Sequence, residues 1–366
     1  MAAESHIRQA HLEAIAFKKA KPKGKGIVQL SIFNEGSFHG SVPCTSGKGT
    51  PKCCSVGVNL IFVDIGRTSR TQSSDGGDYA LLSECPPAHL EWSSCVYRGQ
   101  LQDGSQIAVK RLKCELFKDI PGFCSEAQFL GRFRHENLLT LKGYCAEGLE
   151  RMLVFDYMPN LSLYAHLHGD LEKKEQLDWH SRMAIACGCA QGLMYLHHDA
   201  DFELVHGNIK STNVLLGPTF APKIVDFGLS RLLNDSVARA KGAFGYTPPE
   251  DTKGEAFTKG SDVFSFGILL LELISGKNPS EKIQTETGKL SIVEWAQDLV
   301  VRGKMDVLVD SRLHGKYNQD ELEDLLNLAI MCAQLKPEDR LTMLEVVEYL
   351  KDRPKAHAEF CSVKTQ

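Results

Sequence analysis

The sequence predicts an α+β chain of two lobes, a small strand-rich one followed by a larger helical one. Strand-like runs come first, at 95–112 and 153–158. From 261 onward the apolar spacing is mostly helical, and no internal repeat is visible.

The elements follow in order. Cys95-Val96-Tyr97-Arg98-Gly99-Gln100-Leu101 reads as one arm of a hairpin and Gln106-Ile107-Ala108-Val109-Lys110-Arg111-Leu112 as the other. Asp103-Gly104 between them is a strong turn signal. Phe123, Ala127, Leu130 and Phe133 recur at helical spacing over 122–134. Leu153-Val154-Phe155-Asp156-Tyr157-Met158 reads as a short buried strand ending at Pro159-Asn160. Residues 182–197 form an amphipathic helix, and 261–275, 291–302, 319–334 and 341–351 are further helices. The expected boundaries are a domain over 92–352, its lobes dividing near 158–159, and a tail over 353–366.

Residues 1–85 differ in composition. Lys18, Lys19, Lys21, Lys23 and Lys25 alternate with Pro22, Gly24 and Gly26, a spacing that breaks any helical face. The stretch 34–56 is rich in Gly, Ser, Thr and Pro, and 67–77 is polar and turn-prone. Such segments bury too little apolar surface to offset ordering entropy, so the region is expected to be unstructured and its lysines solvated. Attraction of the lysine run to an anionic membrane surface or to nucleic acid is the weaker reading.

Composition excludes several classes. The chain has 366 residues, 43% hydrophobic and 24% charged, an ordinary globular balance. A formal charge of −4 points to no partner class, and nucleic acid is not expected. The longest apolar runs, 55–66 and 263–274, are interrupted by Asp64 and Glu272 and fall short of the roughly 18–20 residues of a membrane helix. Residues 1–20 lack the apolar core of a signal peptide, and Ala2 stands where myristoylation needs Gly. The 12 cysteines have no short repeating spacing and are read as reduced thiols of a cytoplasmic protein. Cys187 and Cys189, inside a helical run, read as small buried hydrophobes, and Cys53-Cys54 is at best a weak palmitoylation signal.

The chemistry-bearing stretch is 204–216, Leu-Val-His-Gly-Asn-Ile-Lys-Ser-Thr-Asn-Val-Leu-Leu, followed by Asp226-Phe227-Gly228. This pairing resembles the protein kinase signature His-Arg-Asp-x-x-x-x-Asn with Asp-Phe-Gly. With Asp-Gly-Ser-Gln-Ile-Ala-Val-Lys-Arg-Leu-Lys, Gly-Tyr-Cys-Ala-Glu-Gly, Asp-Val-Phe-Ser-Phe-Gly-Ile-Leu-Leu-Leu-Glu-Leu and Met-Cys-Ala-Gln, residues from about 95 to 352 resemble a plant receptor-like cytoplasmic kinase of the Pto-interacting type. The resemblance implies a bilobal kinase fold, ATP with Mg²⁺ as cofactors, receptor or other protein kinases as partners, and a cytoplasmic place, with peripheral contact at the plasma membrane the weaker addition.

It also implies site roles. Lys110 matches the strand lysine that contacts the α/β-phosphates, and Glu126 its ion-pair partner. Asn213 and Asp226 match the metal ligands, both hard oxygen donors, and Lys210 the lysine near the transferring phosphate. Phe155 matches the gatekeeper, and Asp156-Tyr157-Met158 the hinge that meets adenine. Asp262 matches the residue that holds the catalytic loop, and Glu250 with Arg340 the buried ion pair of the helical lobe.

Three parts depart from the pattern. Asn208 stands for the catalytic Asp, and an amide has no useful basicity. Losing a general base costs about 10²–10⁴ in rate. The glycine-loop positions fall on His89, Glu91 and Ser94, so the small lobe lacks a recognisable phosphate loop. On the substrate side Gly242-Ala243-Phe244-Gly245-Tyr246-Thr247-Pro248-Pro249-Glu250 carries Ala243 where the family has Thr, and Gly207 removes the Arg that pairs with a phosphorylated segment. The expected function is therefore a pseudokinase that binds ATP and acts as scaffold or allosteric partner of an active receptor kinase. The alternatives are a weakly active Ser/Thr kinase, and a mis-spliced product whose residues 78–92 replace a normal glycine loop.

Overall fold

Two strands lie where none was expected. In the computed structural model β1 (Gly26–Ile32) and β2 (Val58–Val63) pair antiparallel, with Val28 opposite Ile61. The unstructured region expected over 1–85 is corrected at these two segments. Both are runs of β-branched and apolar residues, the composition that favours a pleated, half-buried surface. The structure describes residues 26–32, 58–63, 95–101, 104–113, 118–147, 150–169, 177–232, 244–251, 257–286 and 288–351. The lysine run, Cys53-Cys54, the glycine-loop positions and Ala243 lie outside them.

The expected hairpin forms as β3 (Cys95–Gln100) and β4 (Gln106–Lys113), with Tyr97 opposite Val109. Its turn closes through the N–H of Gly104 on Leu101 O and the N–H of Leu101 on Ser105 O. β5 (Gly143–Glu147) and β6 (Glu150–Asp156) complete a closed sheet in the order β1-β2-β3-β4-β6-β5. β2 joins β3 through Phe62 opposite Gln100, and β1 closes on β5 through Ser31 opposite Tyr144. Among the described strands, closure leaves no open sheet edge. Ile107, Val109, Cys145, Met152 and Val154 form its buried cluster.

Helix α1 spans Ile120–Leu130, shifted toward the N-terminus from the 122–134 expectation. Asp119 caps it by accepting from the N–H of Gly122, and Pro121 occupies the first turn, where its missing N–H costs nothing. Phe123, Ala127 and Leu130 are buried as their spacing predicts.

The chain divides into two units by contact. One comprises Met1–Arg134, Thr140–Met158 and Leu232–Asn234, and the other His135–Leu139, Pro159–Arg231 and Asp235–Gln366. The second contains α2 (Leu163–His168), α3 (Trp179–Met194), α4 (Lys259–Ser275), α5 (Ile292–Val301), α6 (Gln319–Cys332) and α7 (Met343–Lys351). Two short strand pairs, β7 (Val214–Leu216) with β8 (Pro222–Ile224) and β9 (Ile283–Thr285) with β10 (Gly288–Leu290), complete it.

Helix α4 is the core of that unit, with every residue from Ser261 to Ser275 buried. Thr258 and Ser261 form a capping box at its start. Its Gly267 sits where an added Cβ would lie 2.8 Å from Ala329 O and 2.9 Å from Cys332 Cβ, so glycine permits the close crossing with α6. Cys187 and Cys189 on α3 are fully buried, as expected, and burial pushes the Cys189 thiol up. No helix among the described residues is long and apolar enough to cross a membrane.

Candidate active site

Asp262 on α4 organises the loop that the sequence marks as catalytic. Its side chain is 1% exposed and accepts three hydrogen bonds. Oδ2 takes the N–H of His206 at 2.7 Å and His197 Nε2 at 2.9 Å, and Oδ1 takes the N–H of Gly207 at 2.8 Å. A buried carboxylate is tolerated only when its oxygens are so paired.

His206 extends the frame. Its Nδ1 accepts from the N–H of Asn208 at 3.2 Å, so Nε2 carries the hydrogen donated to Val225 O at 2.9 Å. Full burial pushes the imidazole pKa down, which fits this neutral tautomer. Gly207 has φ +75°, a left-handed conformation that glycine adopts without strain. The nearest atoms a Cβ there would meet are those of Phe257, at 3.8 Å, so backbone shape rather than space favours glycine.

The two oxygen donors are brought together by main-chain bonds. Asn213 closes a 3₁₀ turn (Ser211–Asn213), its N–H bonding Lys210 O at 2.9 Å. Its Nδ2 donates to Asn208 O at 2.9 Å, so Oδ1 takes no part in that contact and is the atom that could meet a hard cation. The N–H of Val225 donates to Asn213 O at 2.9 Å, so Asp226, the next residue, lies beside Asn213 in the fold. Asp226 and Gly228 both have φ +64°, which turns the chain sharply at Phe227.

The substrate-side loop is held from below. Glu250 and Arg340 form a bidentate pair at 2.5 and 2.8 Å, with Arg340 1% exposed at the side chain. Arg340 also donates to Gln334 O, Leu335 O and Gly260 O, and its guanidinium lies 5.0 Å from the Phe264 ring centroid.

In the strand-rich unit Lys110 lies mid-β4, opposite Val96 and Leu153. Glu126 on α1 accepts from Lys118 Nζ at 3.1 Å. Asp156 pairs with Lys142 at 2.7 Å, a half-exposed pair of little energetic weight. Tyr157 donates its N–H to Gln106 O and lies 4.6 Å under the Arg98 guanidinium, and Met158 is buried.

The family model for protein tyrosine and serine/threonine kinases matches residues 93–350. The chain belongs to the protein kinase family. It is 44% identical over 265 residues to a PTI1-like tyrosine-protein kinase of Arabidopsis thaliana, covering 71% of this chain and 73% of that one. It is 40% identical to the Arabidopsis proline-rich receptor-like protein kinase PERK13, of which it spans only 37%. Among solved structures, the pseudokinase domain of BIR2, an immune regulator of the RLK/Pelle family, matches with TM-score 0.62 and 31% identity, covering 74% of this chain and 80% of that one. The kinase domain of maize SIRK1 bound to AMP-PNP matches with TM-score 0.63 and 27% identity, over 77% and 99%.

Within this kinase fold the predicted residues fall in two groups. Lys110, Glu126, Asp156 and Met158 belong to the strand-rich unit. Asn208, Lys210, Asn213, Asp226, Glu250, Asp262 and Arg340 belong to the helical unit, where hydrogen bonds join Asn208 to Asn213 and Glu250 to Arg340.

Sequence reasoning passed over one hub. Glu272 is fully buried on α4 and accepts from Ser211 Oγ at 2.7 Å and Tyr246 OH at 2.5 Å, and pairs with His168 Nε2 at 2.8 Å. The hub ties the catalytic-loop turn to the substrate-side loop, and burial beside Glu272 pushes the Tyr246 hydroxyl pKa well up. Its signal was present: one carboxylate inside the apolar run 263–274 needs buried donors.

Proposed function

We propose that this kinase-family chain is a pseudokinase. It binds ATP with Mg²⁺ weakly and acts in the cytoplasm as a scaffold or allosteric partner of active receptor kinases. The observation that carries the reading is Asn208, an amide in a loop whose frame of Asp262, His206 and Asn213 is otherwise complete. Asn208 can orient a hydroxyl but cannot accept its proton.

Lys110 is the cation for the phosphates, Glu126 steadies it, and Asp156 to Met158 form the adenine hinge. The donor chemistry of Asn213 and Asp226 suits a hard dication, which takes carboxylate and amide oxygens with water and phosphate completing its shell. Among the described residues no group of three or more His, Cys, Asp or Glu offers a different metal site. When bound, Mg²⁺ would neutralise phosphate charge. Two neighbours support the reading: BIR2 is described as a pseudokinase, and the SIRK1 domain was solved with AMP-PNP.

Slow Ser/Thr phosphotransfer is the second reading. It is favoured by the intact Asp262 frame, because the base contributes less in a loose transition state. The two separate in one experiment on the purified chain. Thermal shift with ATP and Mg²⁺ is run beside radiolabelled autophosphorylation. Binding without transfer supports the pseudokinase, whereas transfer that Asp226→Ala abolishes supports the enzyme. No shift at any ATP concentration would remove nucleotide from the account.

A further inference from the structure

Lys118 makes contacts that the kinase assignment does not call for. It precedes α1 by two residues, and its Nζ stands 3.1 Å from Glu126 Oε1, with the side chains 31% and 19% exposed. Its main-chain N–H donates to Leu232 O at 3.0 Å. Leu232 is fully buried and ends the 3₁₀ turn (Leu229–Leu232) that follows Asp226-Phe227-Gly228.

The chain around Lys118 is tightly set. Asp119 caps α1, and a Cβ on Gly122 would lie 2.8 Å from Asp119 Oδ1 and 3.2 Å from Lys118 Cβ. The Lys118 stem therefore lies against the first turn of α1, and its ammonium reaches the carboxylate one turn further on. Both ends of this residue are engaged: the backbone with the segment after the metal loop, the side chain with the glutamate assigned to Lys110. A carboxylate shared with a second ammonium holds the first less firmly, because each cation screens its attraction for the other.

We propose that Lys118 is a latch on Glu126: it draws on the carboxylate that steadies Lys110 and, through Leu232, ties that hold to the chain following the metal loop. Its effect on affinity rests on the nucleotide-binding reading above. Displacement of the Leu232 segment by a partner would loosen the latch and favour nucleotide, which gives an allosteric partner a route to the site.

The test uses the full chain with Lys118→Met, which keeps the stem and removes the charge, Lys118→Arg, which keeps the charge, and Lys118→Met on a Glu126→Gln background. Two quantities are read: AMP-PNP affinity with Mg²⁺ by calorimetry, and hydrogen exchange of residues 120–130 without nucleotide. The latch predicts at least threefold tighter binding and faster α1 exchange in Lys118→Met. It predicts near-native values in Lys118→Arg, and no effect of Lys118→Met once Glu126 is Gln. Unchanged or weaker binding in Lys118→Met would overturn it. If no variant binds AMP-PNP, the nucleotide reading fails by itself and exchange decides the latch. Faster exchange that requires Glu126 retains the tie, and unchanged exchange removes it.

Discussion

The side-chain amide of Asn213 donates to the main-chain oxygen of Asn208 at 2.9 Å. One bond thus joins Asn208 to Asn213, the residue proposed as a metal donor, and leaves the Asn213 side-chain oxygen out of that contact. Nucleotide stabilisation should accordingly depend on Mg²⁺ and on this donor pair. Asn213→Leu and Asp226→Ala are each expected to reduce the ATP-induced rise in melting temperature by more than half, with melting of the nucleotide-free protein as the control. An equal rise in all three proteins would show that these positions do not hold the cation.

The Glu250–Arg340 pair is expected to be costly to break. Arg340→Met strands the Glu250 carboxylate, and Glu250→Gln strands a guanidinium that is 1% exposed. Removing one member of such a pair destabilises by about 3–5 kcal/mol. The double variant should lose less than the sum, because neither charge is left alone. Urea unfolding of the four proteins measures this, and additive losses would mean the two act separately.

Stability should carry a component that falls as pH rises through about 6. Burial pushes the Asp251 carboxyl up to about 6, the Ser261 hydroxyl opposes the shift, and the Glu250 charge adds to it. Its Oδ1 accepts from Ser261 Oγ at 3.1 Å, and Oδ2 is buried without a partner among the described residues. A folded pKa above the unfolded value of 3.8 means the folded state holds the proton more tightly. The contribution is complete below pH 4 and lost as pH rises through 6. His206 runs the other way: its lowered pKa gives stability present above 6.5 and lost at lower pH. Comparison with Asp251→Asn isolates the first effect. The variant should gain on the native protein between pH 5 and 7, and parallel urea midpoints across that range would contradict the assignment.

Gly207 should resist a side chain for backbone reasons. Gly207→Ala places a Cβ at φ +75° with room around it, so the loss is about 1 kcal/mol, from strain rather than collision. Denaturation midpoints check it, and a loss of several kcal/mol would point to a clash instead.

Much of this was legible in the chain. The stretch 204–216 with Asp226-Phe227-Gly228 gave the family, because several residues with separate chemical duties recur at fixed spacing. The helix over 261–275 was readable from its apolar run, and it is buried from Ser261 to Ser275. Two kinds of feature were not. The strands over Gly26–Ile32 and Val58–Val63 are short apolar runs set in Gly, Ser and Lys-rich surroundings, and their partners, each other with β3 and β5, are distant in sequence. The contacts of Lys118 and Glu272 depend on a tight turn and on donors more than twenty residues away, to which a local period is blind. Helix ends were also displaced: α3 passes at Met194 into a π turn (Tyr195–Asp199) that carries His197 to Asp262.

The most direct test of the account is phosphate transfer from radiolabelled ATP by the native chain and by Asn208→Asp, with Asp226→Ala as the blank. The account predicts no transfer above the blank for the native chain and a gain of about 10²–10⁴ over that background for Asn208→Asp. Transfer by the native chain well above Asp226→Ala would contradict it and make the protein an enzyme.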